Sequence, residues 1–144
     1  MTRYFLTPAR NRDRESATQA ISRQLNEGSY SWGERTPWVT TLKPGDRISF
    51  YAAMRGVVAD AEVTSSAEHT RGAFPWRFGV KNSRLLNPPI AIDRALRSEL
   101  DAFRGKDPAS TRWSWFVQVT REISEHDFRL LTDSPAADRL GRPQ

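Results

Sequence analysis

The chain has 144 residues, a formal net charge of +5, 38% hydrophobic and 10% aromatic residues, and no Cys. That length fits one domain able to bury a core without a disulfide or metal staple. Absence of Cys excludes thiolate chemistry and Cys-ligated zinc, and two His residues, His69 and His126, exclude a three-His metal site.

No apolar run is long enough to span a bilayer, and Met1 to Arg14 lacks the apolar stretch of a signal peptide. A cytoplasmic protein is therefore expected. The basic residues are nineteen Arg and three Lys. Arginine presents a planar fork suited to phosphates and to stacking on bases, so the charge fits a nucleic acid partner. An Arg-rich codon bias accounts for the same composition.

Arg3 to Thr7 reads as a strand ended by Pro8. From Asp13 the pattern turns helical: Ala17, Ala20, Ile21 and Leu25 recur at spacings of three and four, and Gly28 supplies a C-terminal cap. Ser29 to Pro37 reads as a loop and Trp38 to Leu42 as a short strand, with Trp38 in the core. Lys43-Pro44-Gly45-Asp46 has Pro and Gly where a type II turn requires them. Arg47 to Ala53 and Val57 to Thr64 then form a hairpin, with Asp60 and Glu62 on its wet face.

Ser65 to Ala73 is polar and reads as a mobile loop. A strand follows from Phe74 to about Leu86, broken by Asn87-Pro88-Pro89. Ile92, Leu96, Leu100 and Phe103 repeat as a helix that Asp93 caps and that ends near Gly105. Trp113 to Thr120 reads as a strand, and Ser124 caps a last helix through Leu131. The order predicts an α+β fold: a curved, mostly antiparallel sheet closed into a small barrel with helices packed outside. Residues 1–132 form the domain, and residues 133–144 read as a tail or linker.

The ordered series Tyr4-Phe5-Leu6, Trp32-Gly33, Pro44-Gly45-Asp46 with Ser49-Phe50-Tyr51, Gly56-Val57-Val58-Ala59, Phe74-Pro75-Trp76-Arg77, and the closing strand and helix from Trp113 to Leu131, resembles the EVE domain family over roughly Arg3 to Thr132. EVE domains are PUA-like pseudobarrels related to YTH domains. The resemblance implies nucleic acid binding through an aromatic pocket that receives one flipped base: modified cytosine in DNA, favoured here, or 6-methyladenine in RNA as for YTH relatives. It also implies a fused or partner nuclease.

On this resemblance Trp32 is one pocket wall, and Phe74 and Trp76 lie in the segment that supplies the other. Ser49 and Tyr51 line the pocket, and Asn11 faces the base edge. The segment after Trp32, Gly33 to Pro37, lacks the Asn that many EVE domains carry there. The arginines expected at the nucleic acid backbone are Arg10 and Arg12 at the first helix, Arg71 and Arg77 beside the pocket, and Arg112. No cofactor or metal is expected. The chain has no dinucleotide-binding, phosphate-loop or nucleophile-elbow motif, so it is not expected to be an enzyme. The alternative is a PUA-like protein that binds RNA or a small ligand without reading modifications.

Overall fold

The computed structural model describes residues 2–9, 15–134 and 136–140. Eight strands form one curled mixed sheet: β1 (Tyr4–Ala9), β2 (Ser29–Trp32), β3 (Arg47–Ala52), β4 (Gly56–Val63), β5 (Glu68–His69), β6 (Trp76–Ile90), β7 (Arg121–Ile123) and β8 (Ala136–Leu140). Their order is β2-β6-β4-β3-β1-β7, with β5 and β8 also paired to β6. Only β1 and β3 run parallel among the pairings described. With the helices α1 (Ala17–Asn26), α2 (Arg94–Arg97) and α3 (Glu125–Thr132), this makes an α+β half-barrel. No helix among the described residues is long and apolar enough to cross a membrane.

The hairpin forms where the sequence places it. Gly45 adopts φ +93°, and Asp46 N–H donates to Lys43 O at 3.1 Å. The buried Asp46 carboxylate then accepts from the backbone N–H groups of Arg3 and Lys43, which ties the turn to the start of β1. Gly56 ends the second turn at φ +108°, and a Cβ there would lie 2.3 Å from Ile90 O, so β4 and β6 approach too closely for a side chain.

α1 buries Ala17, Ala20, Ile21, Gln24 and Leu25, and Ser16 and Gln19 form a reciprocal capping box at its start. The first core cluster packs on this side, around Phe5, Trp32, Phe50 and Phe78. A second cluster, around Leu6, Val57, Phe103, Phe116 and Phe128, covers the opposite face. Both faces of the central strands are therefore dry. The expected wet face of β4 is corrected: Asp60 has no exposure, and it is held by Arg84 at 2.5 Å and Arg47 at 3.6 Å.

Other expectations fail for local reasons. β1 runs through Pro8, which lies beyond the three residues that β7 pairs, where one side of β1 is an edge and a missing N–H is tolerated. β6 continues through Asn87-Pro88-Pro89, with Asn87–Pro88 cis. Ser29–Trp32 is a strand and not a loop, because β6 pairs it from Trp76 to Gly79.

Val39–Thr41 is a 3-10 turn, and Trp38 before it is 41% exposed with φ 71°. The helix expected through Phe103 stops at Arg97, since Asp127 Oδ1 and Oδ2 accept from the N–H groups of Asp101 and Ala102 and start a separate 3-10 turn. Trp113 to Thr120 is not a strand: Ser114–Val117 is a 3-10 turn that buries Phe116 between Phe103 and Trp115. Part of the expected tail, Ala136–Leu140, pairs with β6.

Candidate functional site

A cavity of about 530 Å³ opens at the end of the half-barrel. Four segments meet there: the end of β1 at Thr7 to Ala9, β2 with the loop after it to Pro37, Phe74 before β6, and Gln118 to Thr120 before β7. Its lining is mostly apolar. Trp32 forms part of the wall although only 4% of it is exposed, while Phe74 is 42% exposed.

Trp32 is fixed from several directions. Its ring packs tilted on Phe78 at 4.7 Å, and its Nε1–H donates to Thr7 Oγ1 at 3.0 Å. Thr7 Oγ1 is in turn 2.7 Å from Thr120 Oγ1. All three side chains are buried. The two hydroxyls carry two hydrogens. One lies in the bond between them, whichever threonine donates. Thr7 has already taken the indole hydrogen as acceptor, so the second hydroxyl hydrogen has no acceptor among the described residues. It belongs to Thr7 or Thr120, and both line the cavity. An apolar pocket thus holds one hydroxyl donor for an acceptor on a guest.

The rim is basic on one side. Arg35 lines the cavity, is exposed, and has no ion pair among the described residues. The neighbouring Glu34 is held 2.9 Å from His69 Nε2, which ties the loop after β2 to β5. His69 also packs edge-on against Trp76 at 4.9 Å.

The structure brings together some of the expected pocket residues. Trp32 and Phe74 line the cavity. Trp76 lies opposite Trp32 in the β2–β6 ladder but stands outside the lining, partly buried against the first core cluster. Ser49 and Tyr51 do not reach the cavity. Ser49 has no exposure and donates to Phe5 O at 3.0 Å, while Tyr51 packs on the second core cluster, where burial pushes its phenol pKa up. Alternation along β3 is the reason: Ile48, Phe50 and Ala52 face the first core cluster with Trp32, and Tyr51 faces the second, across the sheet.

Arg77 sits at a smaller adjoining cavity. Arg71 and Arg112 are exposed and line neither. Arg10, Asn11 and Arg12 lie outside the described residues. Sequence reasoning missed Thr7, Thr120 and Arg35, and the two threonines, 113 positions apart, carry no local signal.

Asp60 and Glu62 both have cationic partners: Asp60 is sealed by arginine, while Glu62 faces Lys81 at 3.6 Å. Asp101, His126 and Asp127 have ligand atoms within 4.8 Å of one another. Their geometry is explained without an ion, because both Asp127 oxygens accept backbone N–H groups and Asp101 Oδ2 accepts from Ser124 Oγ at 2.8 Å.

No protein-family model matches the sequence, and no curated protein matches it. Solved structures do. The YTH domain of Mmi1 in complex with RNA is similar at TM-score 0.56 and 12% identity, over 90% of this chain and 75% of that one. The YTH domain of Zygosaccharomyces rouxii MRB1 in complex with N6-methyladenosine RNA gives 0.54 and 14%, over 94% and 90%. A Pseudomonas syringae protein gives 0.52 and 13%, over 86% and 93%. The chain has the α+β fold of the YTH and PUA-like domains.

Proposed function

We propose that this chain is an EVE-type reader that binds nucleic acid and takes one flipped, modified base into the cavity walled by Trp32 and Phe74. The carrying observation is the cavity itself: a locked indole and an accessible phenyl ring, with one hydroxyl donor between Thr7 and Thr120. A flipped base needs flat apolar walls and a few polar groups for its edge. Aromatic stacking contributes about 1–3 kcal/mol per base. Arg35 at the rim supplies a phosphate contact of the kind that holds a strand in register.

The solved YTH domains above, one bound to RNA and one to N6-methyladenosine RNA, support a reader on this fold. They favour a methylated adenine in RNA. The modified cytosine in DNA rests on the EVE resemblance alone. A buried methyl is worth about 0.8 kcal/mol, roughly fourfold, so stronger selectivity must come from the hydroxyl donor reading the base edge.

The test is a titration of matched oligonucleotides carrying cytosine, 5-methylcytosine, 5-hydroxymethylcytosine, adenine or 6-methyladenine, followed by anisotropy at about 50 and about 200 mM salt. The reading predicts a preference for one modified base and an affinity that falls with salt. Equal affinity for every oligonucleotide contradicts modification reading. Absence of binding at low salt contradicts the nucleic acid reading altogether.

A further inference from the structure

Beside the base cavity lies a second, smaller one of about 230 Å³, between the end of α1 and the β2–β6 ladder. Phe74 and Ser31 line both. The smaller cavity holds one of the three buried side-chain nitrogens, with those of Arg47 and Arg121, that have no hydrogen-bond partner among the described residues. Gln24 is 6% exposed; its Oε1 accepts from Ser31 N–H at 3.0 Å, which fixes the orientation of the amide, and its Nε2 is buried with no hydrogen-bond partner. A buried amide donor left unpaired costs about 1–3 kcal/mol. A fold that keeps one beside a cavity offers it to something that enters.

The surrounding groups are donors too. Ser31 stands opposite Arg77 in the ladder. The hydroxyls of Ser29 and Ser31 and the guanidinium of Arg77 make no hydrogen bond or ion pair among the described residues. Arg23 is already held by Glu15 at 2.9 Å and by Glu27 at 3.9 Å. Glu27 is the one carboxylate in the lining; it is exposed, lies 3.9 Å from Arg23, and is offset only in part because Glu15 already holds that guanidinium with two hydrogen bonds. What remains is one uncommitted cation and three neutral donors around a space large enough for a tetrahedral anion.

We propose that this cavity is a phosphate subsite: Gln24 Nε2, Ser29, Ser31 and Arg77 hold the backbone phosphate next to the flipped nucleotide, while Phe74 separates that phosphate from its base. The identity of the strand rests on the base-reader reading; the anion subsite does not. Charge-assisted hydrogen bonds to phosphate from several fixed donors give registration along the strand, so the base in the larger cavity is chosen by position as well as by shape.

Two arms test it on the full chain. In the first, oligonucleotides carrying the preferred base have single phosphates replaced by neutral methylphosphonates. One replacement next to the flipped base is expected to weaken wild-type binding about tenfold, from the charge-assisted bonds it removes. Gln24→Glu keeps the acceptor for Ser31 N–H but sets a negative charge in the cavity. In that variant and in the exposed Arg77→Gln, the same replacement is expected to lose most of its effect. Equal losses in wild type and variants, or equal sensitivity at every phosphate, overturn the subsite.

In the second arm, inorganic phosphate is added to 15N-labelled protein, and the Gln24 side-chain amide signals are followed. Their shift, absent in Arg77→Gln, supports the subsite even where no oligonucleotide binds, an outcome that removes the base-reader reading alone. Amide signals unmoved by phosphate and by oligonucleotide alike mean that Gln24 Nε2 meets water only, and the proposal fails.

Discussion

The larger of two cavities among the described residues is not the one that invites a ligand. The groove between Tyr4, Arg47, Arg84 and Phe128 holds about 740 Å³, against about 530 Å³ for the cavity at Trp32. Three arginines line the groove, yet each is already paired. Arg47 and Arg84 converge on the buried Asp60, and Arg129 pairs with Glu125 one turn away on α3. Hydrogen bonding to Asp60 pushes the Arg84 pKa up, a sign that its charge is committed within the fold.

At the Trp32 cavity the balance is reversed. Apolar walls dominate, one hydroxyl hydrogen lacks an acceptor, and Arg35 at the rim has no carboxylate. Binding capacity lies where polar groups stay unsatisfied beside apolar surface, and volume alone says little.

Mutations that separate the two regions should therefore separate stability from binding. Arg84→Met removes the main partner of a carboxylate with no exposure. It is expected to destabilise the fold by about 3–5 kcal/mol in chemical denaturation, with oligonucleotide affinity unchanged under native conditions. A matching loss of affinity would make the groove part of the site.

Phe74→Ala removes a ring that is 42% exposed. It is expected to weaken binding of the preferred oligonucleotide by about 1–3 kcal/mol in anisotropy, with little change in melting temperature. Thr120→Val preserves the shape of the wall and breaks the hydroxyl pair, which leaves Thr7 as the one hydroxyl donor, displaced from the Thr120 position. About 1 kcal/mol of binding, roughly fivefold, should be lost, mostly for bases with an acceptor at the edge. Arg35→Gln should act least: affinity falls evenly for all bases, and the dependence on salt weakens by about one phosphate contact.

Sequence reasoning reached some of this and missed the rest for identifiable reasons. The β3–β4 hairpin was legible because Pro44-Gly45 dictates the turn that leads into β3 and the alternation from Val57 to Val63 dictates the strand β4. α1 was legible because four apolar positions share one face. Trp113 to Phe116 misled because aromatic residues favour strands on average; here Phe103 and Phe116 pack against each other, and a 3-10 turn presents that geometry.

The candidate site divides in the same way. Trp32 and Phe74 stand in an ordered series of aromatic and glycine positions. The groups that give the cavities their polarity do not. Thr7 meets Thr120 across the whole chain, and Gln24 looks like any polar residue on a helix until its amide is found buried. Asp60 was placed on a wet face, because alternation along one strand cannot reveal that a second cluster covers the other side of the sheet.

The claim that Trp32 walls the ligand site can be tested directly by the 15N–1H spectrum of the five tryptophan indole groups during titration with the preferred oligonucleotide. The account predicts that the Trp32 Nε1–H signal shifts and saturates with the binding curve, while those of Trp113 and Trp115, packed on the opposite face of the sheet, stay in place. A saturating shift at Trp113 and Trp115, with Trp32 unmoved, would contradict it.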